Sequence, residues 1–174
     1  MSMPKIMKTV AIVTFLLTVI FALLHQTAIA ITCGTTCYHF AMRLLVGLGL
    51  NRIMQNHADY THAWFRLRKW ESSLYRMLRV RKWKGKFPTY DPDLFDQRLH
   101  SLDEIAQAMC QAEIVHEIIA VLSFLPLAAV AAFGALPVFL ITSILSACFD
   151  LCFVIMQRYN RPRIIKLMQK MRVQ

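Results

Sequence analysis

Glycine is scarce in this chain, with five residues among 174, and no Gly-rich phosphate loop or nucleophile elbow can be drawn. Acidic residues are few as well: 10 Asp+Glu stand against 20 Lys+Arg, a formal net charge of +10. Cysteine supplies no framework, because five is an odd number and no second pair gives zinc spacing. Cys33 and Cys37 bracket a loop in which a disulfide would form only on an oxidising side. Cys148 and Cys152 lie one helical turn apart and read as buried small apolar residues, and Cys110 stands alone. The chain has no internal repeat and no low-complexity tail.

Apolar length is what the chain has in excess. Hydrophobic residues make up 57% of it, which is high for a soluble domain. About 20 helical residues at 1.5 Å rise cross a hydrocarbon core of roughly 30 Å. The runs 114–133 and 136–156 meet that length, and the short connection after Gly134 makes them an antiparallel hairpin. A third run, 10–31, follows Lys5 and Lys8. It resembles a signal peptide at Ala28-Ile29-Ala30, yet it is long enough to span and reads as a retained first helix with its N-terminus inside. Residues 38–50 are apolar but short, and they carry Arg43.

The pattern predicts an all-α integral membrane protein of three or four transmembrane helices with a basic amphipathic interfacial helix. It reads as a single membrane domain over 1–174. The first span covers 9–31, and a short second span or re-entrant segment covers 37–52. A basic interfacial helix follows over 57–86, then the transmembrane hairpin over 112–134 and 136–157, then a basic tail over 158–174. The charge has two explanations: Lys and Arg collect in cytoplasmic loops, and they also meet an anionic head group or a phosphorylated substrate. The membrane runs exclude nucleic acid as the partner of the basic stretch.

Between Arg66 and Lys86 nine residues are Lys or Arg and one is acidic, Glu71. Tyr60, Trp64, Leu67, Leu74 and Leu78 follow helical spacing, and Glu71 sits on that stripe, where a carboxylate needs a partner; it reads as one half of a structural salt bridge to a neighbouring arginine or as a site residue. Trp64, Trp70 and Trp83 read as interfacial anchors. Pro88 and Pro92 mark a loop, and Ser101-Leu102-Asp103-Glu104 opens the next helix as a capping box.

Candidate chemistry gathers at the ends of the hairpin. Glu113, His116 and Glu117 share one helix face at an expensive depth. His116 reads as a general base oriented by Glu113, as half of a di-metal carboxylate site, or as a structural His–Glu pair. No second Glu-x-x-His is present, so no metal is assigned. Glu71 joins His116 and Glu113 as a candidate catalytic residue. Asp150 lies about two turns inside the last span, where it is expected to face Ser123 or its neighbours on the third span. Gln157, Arg158, Tyr159, Asn160, Arg161 and Arg163 follow that span, and with Asp150, Lys82, Trp83 and Lys84 they form the candidate substrate-binding set, since guanidinium forks suit phosphate.

Four blocks carry a resemblance: Tyr75-Arg76 with Arg81-Lys82-Trp83-Lys84-Gly85-Lys86-Phe87-Pro88, Phe95-Asp96-Gln97-Arg98, Ala112-Glu113-Ile114-Val115-His116, and Gln157-Arg158-Tyr159-Asn160-Arg161-Pro162-Arg163. Over roughly residues 70–167 the chain resembles the glycosyl-4,4'-diaponeurosporenoate acyltransferase family. The resemblance implies a bacterial multi-pass cell (inner) membrane enzyme that esterifies a fatty acyl group onto the sugar of a carotenoid glycoside, the last step of staphyloxanthin synthesis. It implies no cofactor, with acyl-CoA or a lipid acyl donor as co-substrate, and a membrane lipid and an anionic head group or phosphate as partners. The residues alone also fit a non-catalytic membrane subunit or lipid-binding module, or a metal-dependent lipid-modifying enzyme. They carry no signal of oligomeric state.

Overall fold

The computed structural model describes residues 3–87, 91 and 93–173; Pro88 and Pro92, expected to mark a loop, lie outside them. Among the described residues there is no strand. Helices α1 (Met3–Leu23), α2 (Thr27–Met54), α3 (Lys69–Met77), α4 (Val80–Trp83), α5 (Leu102–Leu122), α6 (Val130–Phe133) and α7 (Leu136–Val173) follow in order. Four stretches are long and apolar enough to cross a membrane: Met3–Leu23, Thr27–Met54, Leu102–Phe133 and Leu136–Met171. Four spans, rather than three, is therefore the number the fold supports.

The expected boundaries of the first two spans are corrected. The apolar run 10–31 is not one helix, because the chain turns at residues 24–26. His25 takes the left-handed conformation there, at φ 57°. Ala28-Ile29-Ala30 therefore belongs to α2, which has 28 residues and is long enough to cross a membrane. Ser101 opens α5 as expected: its backbone N–H donates to Glu104 Oε2 at 2.8 Å, and the Glu104 N–H donates to Ser101 Oγ at 3.2 Å. The third span is interrupted after Leu122 by a 3₁₀ segment, Leu125–Ala129, with Pro126 in its first turn. Gly134, at φ 66°, closes α6 and makes the tight turn into α7.

The basic stretch does not form one helix over 57–86. A 3₁₀ turn, Ala63–Phe65, is followed by extended backbone at Arg68 before α3 begins. The left-handed Arg79, at φ 51°, then separates α3 from α4. The expected stripe is also turned over. Trp64 and Leu67 are exposed, while Glu71 and Tyr75 are buried. A nine-residue helix too short to be stable alone takes its orientation from tertiary partners, and here those partners are charges.

The chain divides into two compact units, Met1–Gly49 with Glu117–Asp150, and Leu50–His116 with Leu151–Gln174. In the first, α1 buries none of its residues, as suits an apolar helix whose surroundings are lipid. Tyr38 Oη donates to the Leu122 carbonyl at 2.8 Å, satisfying one of the orphan acceptors at the end of α5. Cys33 and Cys37 are free thiols, and Cys148 is exposed rather than buried. In the second unit the apolar core includes Phe65, Tyr75, Val80, Met109, Cys110 and Phe153.

Candidate functional site

The second unit is organised around a buried charge centre. Glu113 on α5 and Arg161 on α7 are 0% and 1% exposed. Glu113 Oε1 accepts from Arg158 Nη1 at 2.5 Å, and Oε2 accepts from Arg161 Nη1 at 2.5 Å. Arg158 also donates from Nε to Glu71 Oε1 at 2.8 Å. The second Glu71 oxygen accepts from the Arg68 N–H at 2.7 Å, capping α3.

Three consecutive carbonyls complete the centre. Trp64 O and Arg66 O accept from Arg158 at 3.1 and 3.2 Å, and Phe65 O accepts from Arg161 at 2.5 Å. The Arg161 guanidinium also lies 5.0 Å from the Phe65 ring centroid. Two guanidiniums and two carboxylates thus balance in charge, with their donors aimed at protein acceptors. Such a network holds together only while every member stays satisfied.

The structure therefore brings Glu71, Glu113, Arg158 and Arg161 together, but as the joint between α3, α5 and α7. Arg158 and Arg161 face inward and are withdrawn from the candidate phosphate-binding set. Glu113 spends both oxygens on arginines, which replaces its expected task of orienting His116.

His116 belongs to a neighbouring aromatic array. Its ring stacks on Phe153, with centroids 4.5 Å apart and planes 10° apart. Phe153 meets Phe87 edge-on at 5.5 Å, and Phe87 lies 5.3 Å from Trp83. Trp83 is held to its own segment by a 3.0 Å bond from Nε1 to the Leu78 carbonyl. Phe153 was not singled out from the sequence, and Phe87 entered only as part of the block around Trp83 that carries the resemblance.

Lys84, next to Trp83, donates to the Asn160 side-chain oxygen and lies 5.1 Å from the Tyr159 ring centroid. Arg163 lies 4.2 Å from the same ring and donates to Tyr159 Oη at 2.6 Å. Burial, followed by the Arg163 and Arg81 charges, holds the Lys84 ammonium below the usual lysine range. Two cations on one ring make a local excess of positive charge. A cleft of about 220 Å³ lies alongside, its lining including Ser72, Tyr75, Tyr159, Arg163 and Lys166. The Tyr75 phenol is pushed up to about 12 by burial and then by the Glu71 charge, so it remains a neutral donor. Lys82 is exposed, and Gln157 is half-buried on α7.

Asp150 belongs to the first unit. Its partner is Arg43, with which it makes an ion pair; Arg43 also donates to Ser146 Oγ at 2.7 Å. Ser123 shares a 2.8 Å hydrogen bond with Ser146, the same serine to which Arg43 donates. Arg43 carried the one signal that could have found this pair, a lone charge in an apolar run that demands an opposite charge at its own depth. No group of three or more metal-ligating side chains is present among the described residues.

A helical membrane protein with a buried, charge-balanced joint is the class that fold and site define. Residues 61–170 match the family model described as glycosyl-4,4'-diaponeurosporenoate acyltransferase. The match covers more than half of the chain, and the chain belongs to that family; it is an acyltransferase. No curated protein and no solved structure matches it.

Proposed function

We propose that this acyltransferase moves a fatty acyl group from acyl-CoA or a lipid donor onto a hydroxyl of a lipid or glycolipid, a carotenoid-glycoside-like acceptor by family, at the bacterial inner membrane. The acceptor oxygen attacks the acyl carbonyl carbon, and the C–S or C–O bond to the donor breaks. His116 takes the hydroxyl proton and returns it to the leaving thiolate or alkoxide. Lys84 and Arg163 hold the phosphate or anionic head group of the donor or acceptor.

The observation that carries this reading is that one short segment serves both tasks. Residues 83–87 supply the aromatic rings that lead to His116 through Phe153 and the Lys84 cation that reaches Tyr159 and Asn160. Crowding of Lys and Arg beside the apolar runs supports a cytoplasmic location for the basic segment and both termini.

The test is turnover of palmitoyl-CoA with a glycosylated lipid acceptor in membranes carrying the wild type, His116→Ala, or Lys84→Ala with Arg163→Ala, read by mass spectrometry. His116→Ala is expected to lose about 10²–10⁴-fold in kcat with folding retained. The cation variant is expected to raise KM for the phosphorylated substrate, more at low salt. Unchanged product in His116→Ala would remove that residue from the mechanism, and no acylated lipid with any acceptor would leave a lipid-binding role.

A further inference from the structure

The first unit holds two polar side chains that the acyl-transfer reading does not use. His39 on α2 is 5% exposed and Ser143 on α7 is 0% exposed. Neither His39 ring nitrogen has a hydrogen-bond partner, and neither does Ser143 Oγ. Orphaned groups of this kind are rare inside proteins and call for an explanation.

Their placement is systematic. His39 precedes Arg43 by one helical turn, and its carbonyl accepts from Arg43 Nη1 at 3.0 Å. Ser143 precedes Ser146 by one turn on the same face of α7. Tyr38 on α2 reaches Leu122, whose neighbour Ser123 bonds Ser146 on α7, while Arg43, further along α2, reaches Asp150, further along α7, so the two helices run the same way. One turn back from Arg43 on α2 therefore corresponds to one turn back from Ser146 on α7. The next rung of the Arg43–Ser146–Asp150 ladder is the level of His39 and Ser143.

The chemistry of the rung selects its ligand. Arg43 and Asp150 neutralise each other, so no net charge is left over for an ion. A neutral imidazole offers one N–H and one lone pair, and a serine hydroxyl likewise donates and accepts. The complement is a group that also donates and accepts, namely an O–H.

We propose that His39 and Ser143, beside the Arg43–Asp150 pair, form a binding site for one neutral O–H group within the membrane-length helices, either a bound water or the hydroxyl of an otherwise apolar lipid. This site is independent of His116 and of the Lys84–Arg163 cations.

The two sources are separated with purified full-length protein in detergent. A long-chain alcohol carrying a diazirine near its hydroxyl, and its methyl ether, serve as photolabels. If a lipid hydroxyl occupies the site, the alcohol labels peptides from 27–49 or 136–150. His39→Leu and Ser143→Ala each cut that labelling by about five- to tenfold, the worth of roughly one hydrogen bond, and the ether labels weakly throughout. If water occupies the site, alcohol and ether label alike, and ¹⁵N-histidine NMR shows magnetisation transfer from water to the His39 ring. His39→Gln keeps a polar side chain and assigns the signal should His39→Leu fail to fold. Equal labelling by both probes together with no transfer from water to His39 would overturn the proposal.

Discussion

Arg158 Nη1 stands 2.5 Å from Glu113 Oε1, across 45 residues of sequence. Since Arg158 also binds Glu71 and two backbone carbonyls, this one contact joins α5, α7 and the start of α3. Its removal is expected to be felt as lost stability before lost chemistry.

Glu113→Ala should leave two guanidiniums buried without their common carboxylate and destabilise the protein by about 3–5 kcal/mol, the usual cost of breaking a buried pair from one side. Glu113→Gln should cost less. Thermal unfolding in detergent checks both, and a melting temperature unchanged by Glu113→Ala would contradict the role assigned to the charge centre.

Phe153→Leu removes the ring on which His116 stacks while keeping an apolar side chain of similar size. kcat is expected to fall about 10-fold or more with KM little changed, because a misplaced base costs rate rather than binding. Steady-state kinetics of the variant decide it.

Lys84 gives the pH dependence. Its folded pKa is lowered relative to the ordinary lysine value of 10.5, so the ammonium loses its proton at a lower pH than an exposed lysine would. Affinity for an anionic partner should fall as pH rises through that lowered value. In the window between the two values the unfolded chain binds more protons than the folded one, so the contribution of Lys84 to stability rises with pH there. Titrating inorganic pyrophosphate binding against pH in the wild type and Lys84→Arg tests the sign. Lys84→Arg should remove the alkaline decline.

The Arg43–Asp150 pair should behave as one unit. Asp150→Ala or Arg43→Ala alone should be strongly destabilising, while Arg43→Leu with Asp150→Leu should recover most of the loss, since two apolar groups replace a pair that must otherwise be desolvated. Yield and thermal stability of the four proteins in detergent report the coupling, and additive single effects would contradict it.

The helices were legible where apolar length or a cap announced them. The run 136–156 and the Gly134 turn became α7 and its entry, and Ser101 with Glu104 opened α5. The second span was obscured because Arg43 divides it and because α1 and α2 are apolar on both sides of the turn at His25. The basic stretch misled through its periodicity: spacing says which residues share a face, but not that a carboxylate will be the buried one when two arginines wait for it. Glu71, Glu113 and Arg158 were all visible as candidates. Glu71 was legible as the salt-bridge partner of an arginine, but a joint shared with Glu113 was not, because it depends on the carbonyls of Trp64, Phe65 and Arg66, and backbone acceptors leave no mark on composition. His39 gave no warning either, whereas Ser143 was visible as part of a polar stripe with Ser146, Asp150 and Gln157 at helical spacing.

Arg43 and Asp150 are separated by 107 residues, and the chain is made in order. At synthesis rates of about 5–20 residues per second, roughly 5–20 s pass between the two side chains leaving the ribosome. During that interval α2, the least apolar of the four membrane-length segments at a mean hydropathy of 1.3 against 2.4 for the last, carries its arginine with no acid to meet it. Insertion of α2 thus becomes secure only when the final helix arrives, and a chain truncated before Asp150 should be left with this segment poorly held in the bilayer and open to quality-control proteolysis.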